Sequence, residues 1–515
     1  MESKQPAADL HYGPDQIPDM EPATDPILRR KSFLFEFARS DGPPQIVVLI
    51  MLLALGFGST VGVVPAVMTD RYARVNHGYS EEMDCQAYSR EDKPSECLWG
   101  SADAQNAVAL EQLVSNGLTF FTSSLIGSFS DEYGRKGILT LGVALSVLSP
   151  LTLLLIQLRP SMSPFWYYTA GAIQGLVNWI AVALSALSDV MPPHWRAPSF
   201  GLLLAGFSLG FALAPGLALQ LGHVKVTILS LCLVLLGLGL VVRTFPETLP
   251  PETALQARQA RHEQTQRWSP TQRFWWPLYR PLWELSILNR NEIFRLLSCL
   301  AFFSGMVTSG DRTLLIYYLE ERLEFNDQDV AVMFMIMGLL GIFVQGFVLK
   351  VVNDALGERW LVTLCFSLGV VYNFLYGLAD RKTTIFVAVA ISTLGGMAFP
   401  TISAIKSNNV NEAEQGRIQG ALYSLQAVAS AAGPMALRTI YHFTKDGAFL
   451  GPGSMFIFAG CLYMIAVYCA YLLPVRGETR RVVRSTCIHT HSLSLSHSSP
   501  KPIRNSTSRL TLLIL

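Results

Sequence analysis

The sequence predicts an all-α integral membrane protein of twelve transmembrane helices, arranged as two six-helix pseudo-repeats. Three observations carry that prediction. Half of the 515 residues are hydrophobic and 15% are charged, against about 25% charged in an ordinary soluble protein, so the chain has too few charges to cover a soluble globule. Apolar stretches of the roughly 20 residues needed to cross a bilayer recur through most of its length. A hydrophilic run, Asp131-Glu132-Tyr133-Gly134-Arg135-Lys136-Gly137, is wedged between two such stretches, and a weaker copy, Asp354-Ala355-Leu356-Gly357-Glu358-Arg359, recurs between two more. An acid, a glycine and then a base at matching places in two halves mark a duplicated transporter, because parallel repeats are one of the known transporter architectures.

The elements follow in chain order. Residues 1–44 are polar and proline-rich, hold Asp9, Asp15, Asp19, Glu21 and Asp25, and lack the apolar core of a cleaved signal. They are expected to form a disordered cytoplasmic N-terminus, the first span acting as insertion signal. The N-terminal half, 45–244, is expected to place spans 1 to 6 at about 45–66, 107–129, 137–158, 165–189, 199–220 and 224–244. A cytoplasmic linker, 245–291, interleaves arginines with Trp268, Trp275, Trp276 and Trp283. It reads equally as a segment on the lipid surface and as short helices packed under the bundle. The C-terminal half, 292–474, is expected to place spans 7 to 12 at about 292–317, 328–350, 360–379, 383–406, 417–437 and 454–474. Residues 475–515 are expected to be a disordered cytoplasmic tail. Its stretch from His489 to His497 can be encoded by an uninterrupted run of CA and CT dinucleotides, as a translated simple repeat would be, and a metal-binding histidine tract is not expected there.

Lysines and arginines in the connections orient the chain. One face collects Arg39, Arg135, Lys136, Arg196, the linker arginines, Lys350, Arg359, Lys406 and Arg417, and outnumbers the other about two to one. That places both termini and the linker in the cytoplasm and the acidic loop 67–106 outside. Whether the membrane is the plasma membrane or an endomembrane is not encoded. Net charge is +1, so no nucleic-acid partner is implied. Eight cysteines offer no metal-ligand spacing, and only Cys85 and Cys97 lie in a polar segment, leaving room for at most one exofacial disulfide. No nucleophile elbow, zinc-protease, P-loop or dinucleotide fingerprint occurs, so neither an enzyme nor a cofactor is expected.

The motifs can be read physically. A carboxylate at Asp131, where span 2 meets the cytoplasm, can dock on the positive end of a neighbouring helix or pair with Arg135, either being worth about 0.3–2 kcal/mol. That is enough to bias a two-state equilibrium. Asp131, Gly134, Arg135 and Lys136, with Asp354, Gly357 and Arg359 in the copy, are therefore expected to form a gating motif rather than a loop that only sets topology. Gly201, Gly206, Gly210, Ala214 and Pro215 line one face of span 5 and are expected to serve as a hinge and half-to-half contact, plain packing being the alternative. Ionisable residues inside the membrane are candidates for a substrate or proton site: Glu111, Asp311 and Arg312. Asp311 lies roughly 28 Å along span 7 from its cytoplasmic end, in the outer third, where an interfacial charge competes with a proton site. It points about 100° away from Arg312, so the two are not expected to pair. Asn116, Gln174, Asn178, Ser392, Ser403 and Gln426 add neutral polar groups, and Trp179, Tyr317, Tyr372 and Tyr376 aromatic ones. Each also reads as a helix-helix contact. The set favours a weakly charged, amphipathic solute over a phosphate or sugar acid.

The run Gly127 to Lys136 resembles the loop 2-3 signature of the major facilitator superfamily, G-x-x-x-D-x-x-G-R-[RK]. Span 5 resembles the signature G-x8-G-x3-G-P-x2-G, associated with antiporters, with Ala214 and Ala218 where glycine is usual. Phe245-Pro246-Glu247-Thr248-Leu249-Pro250 resembles the P-E-[ST]-x-P ending of the first half. Glu414-Gln415-Gly416-Arg417-Ile418-Gln419-Gly420 with Gly433-Pro434 is similar to the segment opening helix 11 in tetracycline-resistance exporters and hippocampus-abundant-transcript-like proteins. The resemblance covers about residues 45 to 475. It implies a monomeric secondary transporter in a lipid bilayer, moving a small organic solute by alternating access with proton-linked antiport, and implies that Asp131 meets the start of helix 11. A uniporter, a proton symporter of a nutrient and a non-transporting receptor or scaffold stay open beside it. Two departures count against the usual coupling residues: Gly171 stands where drug exporters carry arginine in R-x-x-Q-G, and span 1 offers only Gly56, Ser59, Thr60 and Gly62 where tetracycline exporters bury an acid.

Overall fold

The structure is a computed structural model and describes residues 33–81, 83–85, 88, 94–159, 161–266, 279–323, 325, 327–444 and 451–474. Every regular element among them is helical. Span 1 is Pro43–Thr60, continued beyond Val61 and Gly62 by Val63–His77. Span 2 is a single 39-residue helix, Ser95–Tyr133. Spans 3 and 4 are Arg135–Leu158 and Phe165–Val190, and spans 5 and 6 are Arg196–Gln220 and His223–Thr244. In the second half span 7 is Glu292–Leu323. Span 8 runs from Asp327–Phe343 through a π-helical stretch, Val344–Val348, into Leu349–Leu356. Spans 9 to 12 are Glu358–Gly377, Lys382–Asn408, Gln415–Thr444 and Ser454–Tyr471.

Ten of these helices are long and apolar enough to cross a membrane by length and composition. Spans 2 and 11, of 39 and 30 residues, complete the twelve although they are more polar. Their polarity has a packing reason. Each of the two helices has the other as its most extensive neighbour, so Ser123, Ser124, Ser128 and Ser130 face protein and not lipid. Many of the residues that face outward are large and apolar, among them Leu236, Phe347 and Val351, as a hydrocarbon surround demands.

Each half has its own apolar core. Leu184, Phe200 and Val241 belong to the first, and Phe294, Tyr318 and Phe456 to the second. The fold lengthens several predicted spans, because a helix inside a bundle continues past the bilayer wherever a neighbour covers it: span 1 reaches His77 and span 2 begins at Ser95. Part of the N-terminal stretch expected to be unstructured is a helix, Phe33–Arg39, whose Phe33 and Phe37 are buried and whose Phe33 ring lies 5.9 Å from that of Trp195. Residues 1–32, the tail 475–515, and Trp268, Trp275 and Trp276 lie outside the described residues. Lys406, assigned from sequence to a connection, is instead buried inside span 10, its ammonium over the Tyr423 ring. Cys85 and Cys97 form a disulfide across the loop between spans 1 and 2, a bond that persists on the oxidising side of a membrane.

Candidate functional site

The hydrophilic run between spans 2 and 3 is built around one glycine. Gly134 ends span 2 and opens span 3 at φ +101°, a conformation L side chains rarely adopt. A Cβ there would also lie 2.5 Å from Oε2 of Glu247. That Glu247 carboxylate accepts the backbone N–H of Arg135 at 2.8 Å and of Lys136 at 3.1 Å, satisfying donors that the first turn of span 3 cannot pair internally. The Pro-Glu-Thr ending of the first half is thus an N-terminal cap supplied from the far end of that half.

Asp131, one turn earlier, reaches across to the other half. Its carboxylate accepts the N–H of Gly416 at 2.7 Å and of Arg417 at 2.8 Å, at the positive end of span 11. Arg135 lies 2.6 Å from Asp131 and also grips Asp189 at the end of span 4, Nε donating at 2.9 Å and Nη2 at 3.3 Å. Ser130 accepts a further bond from Nη1 at 2.7 Å. Arg135 is fully buried, a state that is tolerable only when such geometry satisfies the guanidinium. Both contacts anticipated for Asp131, the helix end and Arg135, are therefore made together. Lys136 takes part through its backbone alone.

The approach is close because the facing residues are small. A Cβ on Gly416 would strike Gly127, and one on Gly420 would lie 2.8 Å from the carbonyl carbon of Ser123 and 2.9 Å from Cα of Ser124. The linker fastens the same junction. Glu132 of span 2 pairs with Arg261 at 3.2 Å and Arg280 at 2.5 Å, while the buried Glu284 pairs with Arg261 at 3.0 Å and with Arg417 of span 11 at 2.8 Å. Trp283 lies between the guanidiniums of Arg261 and Arg417, 5.1 and 4.5 Å from its ring. Where it is described, the linker is thus packed under the bundle.

The copy in the second half keeps the backbone and loses the partners. Gly357 repeats the positive φ, at +79°. Asp354 is exposed and pairs with Lys350 of its own helix at 2.7 Å, and Arg359 stacks on Trp360 and Tyr471. The cross-half contact here comes from Arg196 at the start of span 5, which donates to the carbonyl of Ser407 at 2.9 Å and to Asn408 at 3.1 Å. Sequence reading missed Arg196, Asp189, Glu132 and Glu284. Asp189 had a signal, being the one acid within its span.

The small face of span 5 mostly serves its own half. Gly206 and Gly210 admit Val47, Met51 and Ala54 of span 1, and Ala214 sits against Gly58, while Gly201 touches span 8, at Gln345 and Leu349. The helix runs on through Pro215, whose side chain lies outside the described ones. Ser208 and Ala212 add to the half-to-half packing that Gly201 makes, facing Gly341 and Gly338.

Toward the disulfide-bearing face span 2 loses its cover, while Ala212 of span 5 still meets Gly338 of span 8. Six of the seven residues from 108 to 114 of span 2 are exposed, Glu111 excepted, so the side toward span 11 is uncovered as well. Nothing lies within 4 Å of where a Cβ on Gly117 would stand. Midway through the bundle, span 4 breaks between Phe165–Gln174 and Trp179–Val190, and its counterpart span 10 breaks between Lys382–Gly395 and Ala398–Asn408. Matched interruptions in two halves point to a transporter's binding region; Gly171, Gly175, Gly395 and Gly396 were their sequence signal. A cavity of about 390 Å³ opens at the first break, lined by Glu111, Ser115, Thr119, Ser149, Gln174 and Asn178 with Phe57, Tyr167 and Trp179. Asn178 caps the second helix segment, accepting the Ala181 N–H at 3.2 Å, and Gln174 donates to Ser149. Asn116 lies beside this lining but not in it. Gln426 packs on Gly305 in the other half.

Asp311 is not in that cavity. It is 8% exposed, inside the second half, with the Tyr372 hydroxyl 3.4 Å from Oδ2 and the Tyr463 hydroxyl 3.2 Å beyond. Its Oδ1 has no hydrogen-bond partner among the described residues. Arg312 is exposed and apart from it. Tyr376 meets Tyr372 edge to face; Tyr317 has its side chain outside the described ones. Ser392 bonds the carbonyl of Val389, and Ser403 carries a carbonyl that accepts from Gln419.

The family model described as Major Facilitator Superfamily matches residues 46–434. The chain belongs to the major facilitator superfamily. It is 24% identical over 408 residues to the human hippocampus abundant transcript 1 protein, covering 74% of this chain and 79% of that protein. It is 26% identical over 372 residues to the class H tetracycline resistance protein of Pasteurella multocida, covering 70% and 85%. Among solved structures, the human organic anion transporter MFSD10 (TETRAN) superposes with a TM-score of 0.64 at 18% identity, covering 83% of this chain and 98% of that one. The proton:xylose symporter XylE gives 0.59 at 15%, covering 84% and 96%. The protein is a multi-pass transporter of this superfamily and not an enzyme.

Proposed function

We propose that this transporter moves a small organic solute by alternating access, with proton-linked antiport, and that the structure is its outward-open state. The observation that carries the reading is the asymmetry of the junction between halves: closed at the arginine-rich face by Asp131 on the end of span 11, and uncovered toward the disulfide loop. With that arginine-rich face in the cytoplasm, the contacts of Asp131, Glu284 and Arg196 form a cytoplasmic gate that must break for the solute to pass inward. Asp131, Gly134, Arg135 and Lys136 are its gating motif. The weaker copy, with Asp354 on its own helix, contributes less, so one half bears most of the latch.

In this reading Asp311 carries the coupled proton. A carboxylate in the core of the second half, beside two tyrosine hydroxyls and with no ion pair among the described residues, changes the charge of that core each time it exchanges a proton. The test is solute flux in proteoliposomes with and without an imposed pH gradient. Asp311→Asn is expected to abolish gradient-driven accumulation and to preserve solute exchange, because the amide imitates the protonated acid. Flux indifferent to the gradient in the parent protein would remove antiport and leave a uniporter, and normal gradient-driven accumulation by Asp311→Asn would remove Asp311.

A further inference from the structure

Within the first-half cavity, the Glu111 carboxylate lies where a side chain on residue 171 would stand: a Cβ added to Gly171 would collide with its Oε1. Glycine at 171 is therefore what lets the acid swing against span 4. The lining contains no lysine, arginine or histidine, and no hydrogen bond or ion pair engages Glu111 among the described residues. The cavity thus holds one carboxylate, a ring of hydroxyl and amide groups, and three aromatic side chains.

We infer that this cavity binds an organic ammonium, with Glu111 as its counter-ion. The inference rests on the transport reading and names its solute class. Of three solute classes, an anion would meet like charge, and a neutral polyol could donate hydrogen bonds to the half-buried carboxylate but would leave its charge uncompensated, which is costly in a low-dielectric site. A cation meets both needs. Ser115, Thr119 and Gln174, whose amide N–H is spent on Ser149 and whose carbonyl oxygen remains an acceptor, can take the remaining N–H groups. Phe57, Tyr167 and Trp179 offer ring faces that attract a cation. About 390 Å³ suits a ligand of modest size, near the lower end of known pockets. A bare metal ion fits poorly, since among the described residues no three His, Cys, Asp or Glu side chains come together.

The test uses three probes on one skeleton, 4-phenylbutylammonium, 4-phenylbutanol and 4-phenylbutyrate, titrated calorimetrically into the purified full-length protein. The ammonium is expected to bind at least tenfold more tightly than the alcohol, and the carboxylate not at all. Glu111→Gln, nearly isosteric, should lower ammonium affinity at least tenfold and leave the alcohol unchanged, while Glu111→Asp keeps part of the preference. Gly171→Arg, which sets a guanidinium against Glu111, should abolish ammonium binding. Equal affinity for ammonium and alcohol, preference for the carboxylate, no ammonium binding at millimolar concentration, or Glu111→Gln without effect would each overturn the assignment. Binding is read without flux, so the two proposals fail separately. Ammonium binding through Glu111 in a protein that moves no solute would keep the site and reject transport, whereas flux of other solutes without ammonium binding would do the reverse.

Discussion

Asp131→Asn isolates the latch, because Asp131 and its ion-pair partner Arg135 belong to the same half and move together. The contacts that differ between a closed and an open gate are the two N–H bonds from Gly416 and Arg417, at 2.7 and 2.8 Å. Hydrogen bonds to a charged group contribute about 1.5–3 kcal/mol each. An asparagine side chain keeps one acceptor oxygen and turns an NH₂ toward the other donor, so the closed gate loses about one such bond. At 1.4 kcal/mol per factor of ten, the ratio of open to closed rises roughly tenfold to a hundredfold. Ser424 reports the change: it is fully buried, and its hydroxyl accepts the N–H of Ser124 across the junction at 3.3 Å. In a background without Cys232, Cys299, Cys365, Cys461, Cys469 and Cys487, Ser424→Cys should react with a maleimide applied from the arginine-rich side at a rate that follows the open fraction. Adding Asp131→Asn should speed that reaction tenfold or more and slow solute turnover several-fold. Labelling within twofold of the parent would refute the latch and return the motif to a role in topology.

Two further outcomes follow from the same geometry. Gly420→Ala places a methyl 2.8–2.9 Å from the backbone of Ser123 and Ser124, so it should wedge the gate and raise Ser424→Cys labelling at least as much as Asp131→Asn. Gly117→Ala, with open space around it, should not, and equal effects of the two would contradict the packing. Replacing both Cys85 and Cys97 by serine removes a cross-link spanning 12 residues, worth about 3 kcal/mol for a loop near that length. The thermal midpoint of the purified protein should fall by several degrees, and an unchanged midpoint would show the loop to be held by other contacts.

The number of spans, their pairing into halves and the repeated glycine turn were legible because each rests on local pattern. A bilayer demands long apolar helices, and a positive-φ turn between two of them demands glycine, so Gly134 and Gly357 stand out in the chain itself. The partners were less legible. Asp131 and Asp354 look alike in sequence, yet Asp131 reaches span 11 and Asp354 an intrahelical lysine, because Asp131 has Gly416 and Gly127 beside it to permit close approach. Gly206 and Gly210 promised a contact between halves, yet their face turns to span 1.

The sequence by itself determined what each segment is: which stretches lie in lipid, where the chain repeats, and which ionisable residues the membrane must enclose. Tertiary structure decided what those residues meet. It buried Asp311 inside the second half beside Tyr372, and set Glu111 in space left by a glycine 60 positions away in the chain. Hydropathy is a property of one segment and can be read along it. The partner of a buried charge depends on which helices pack and how closely, and that is set by small residues on distant spans acting together.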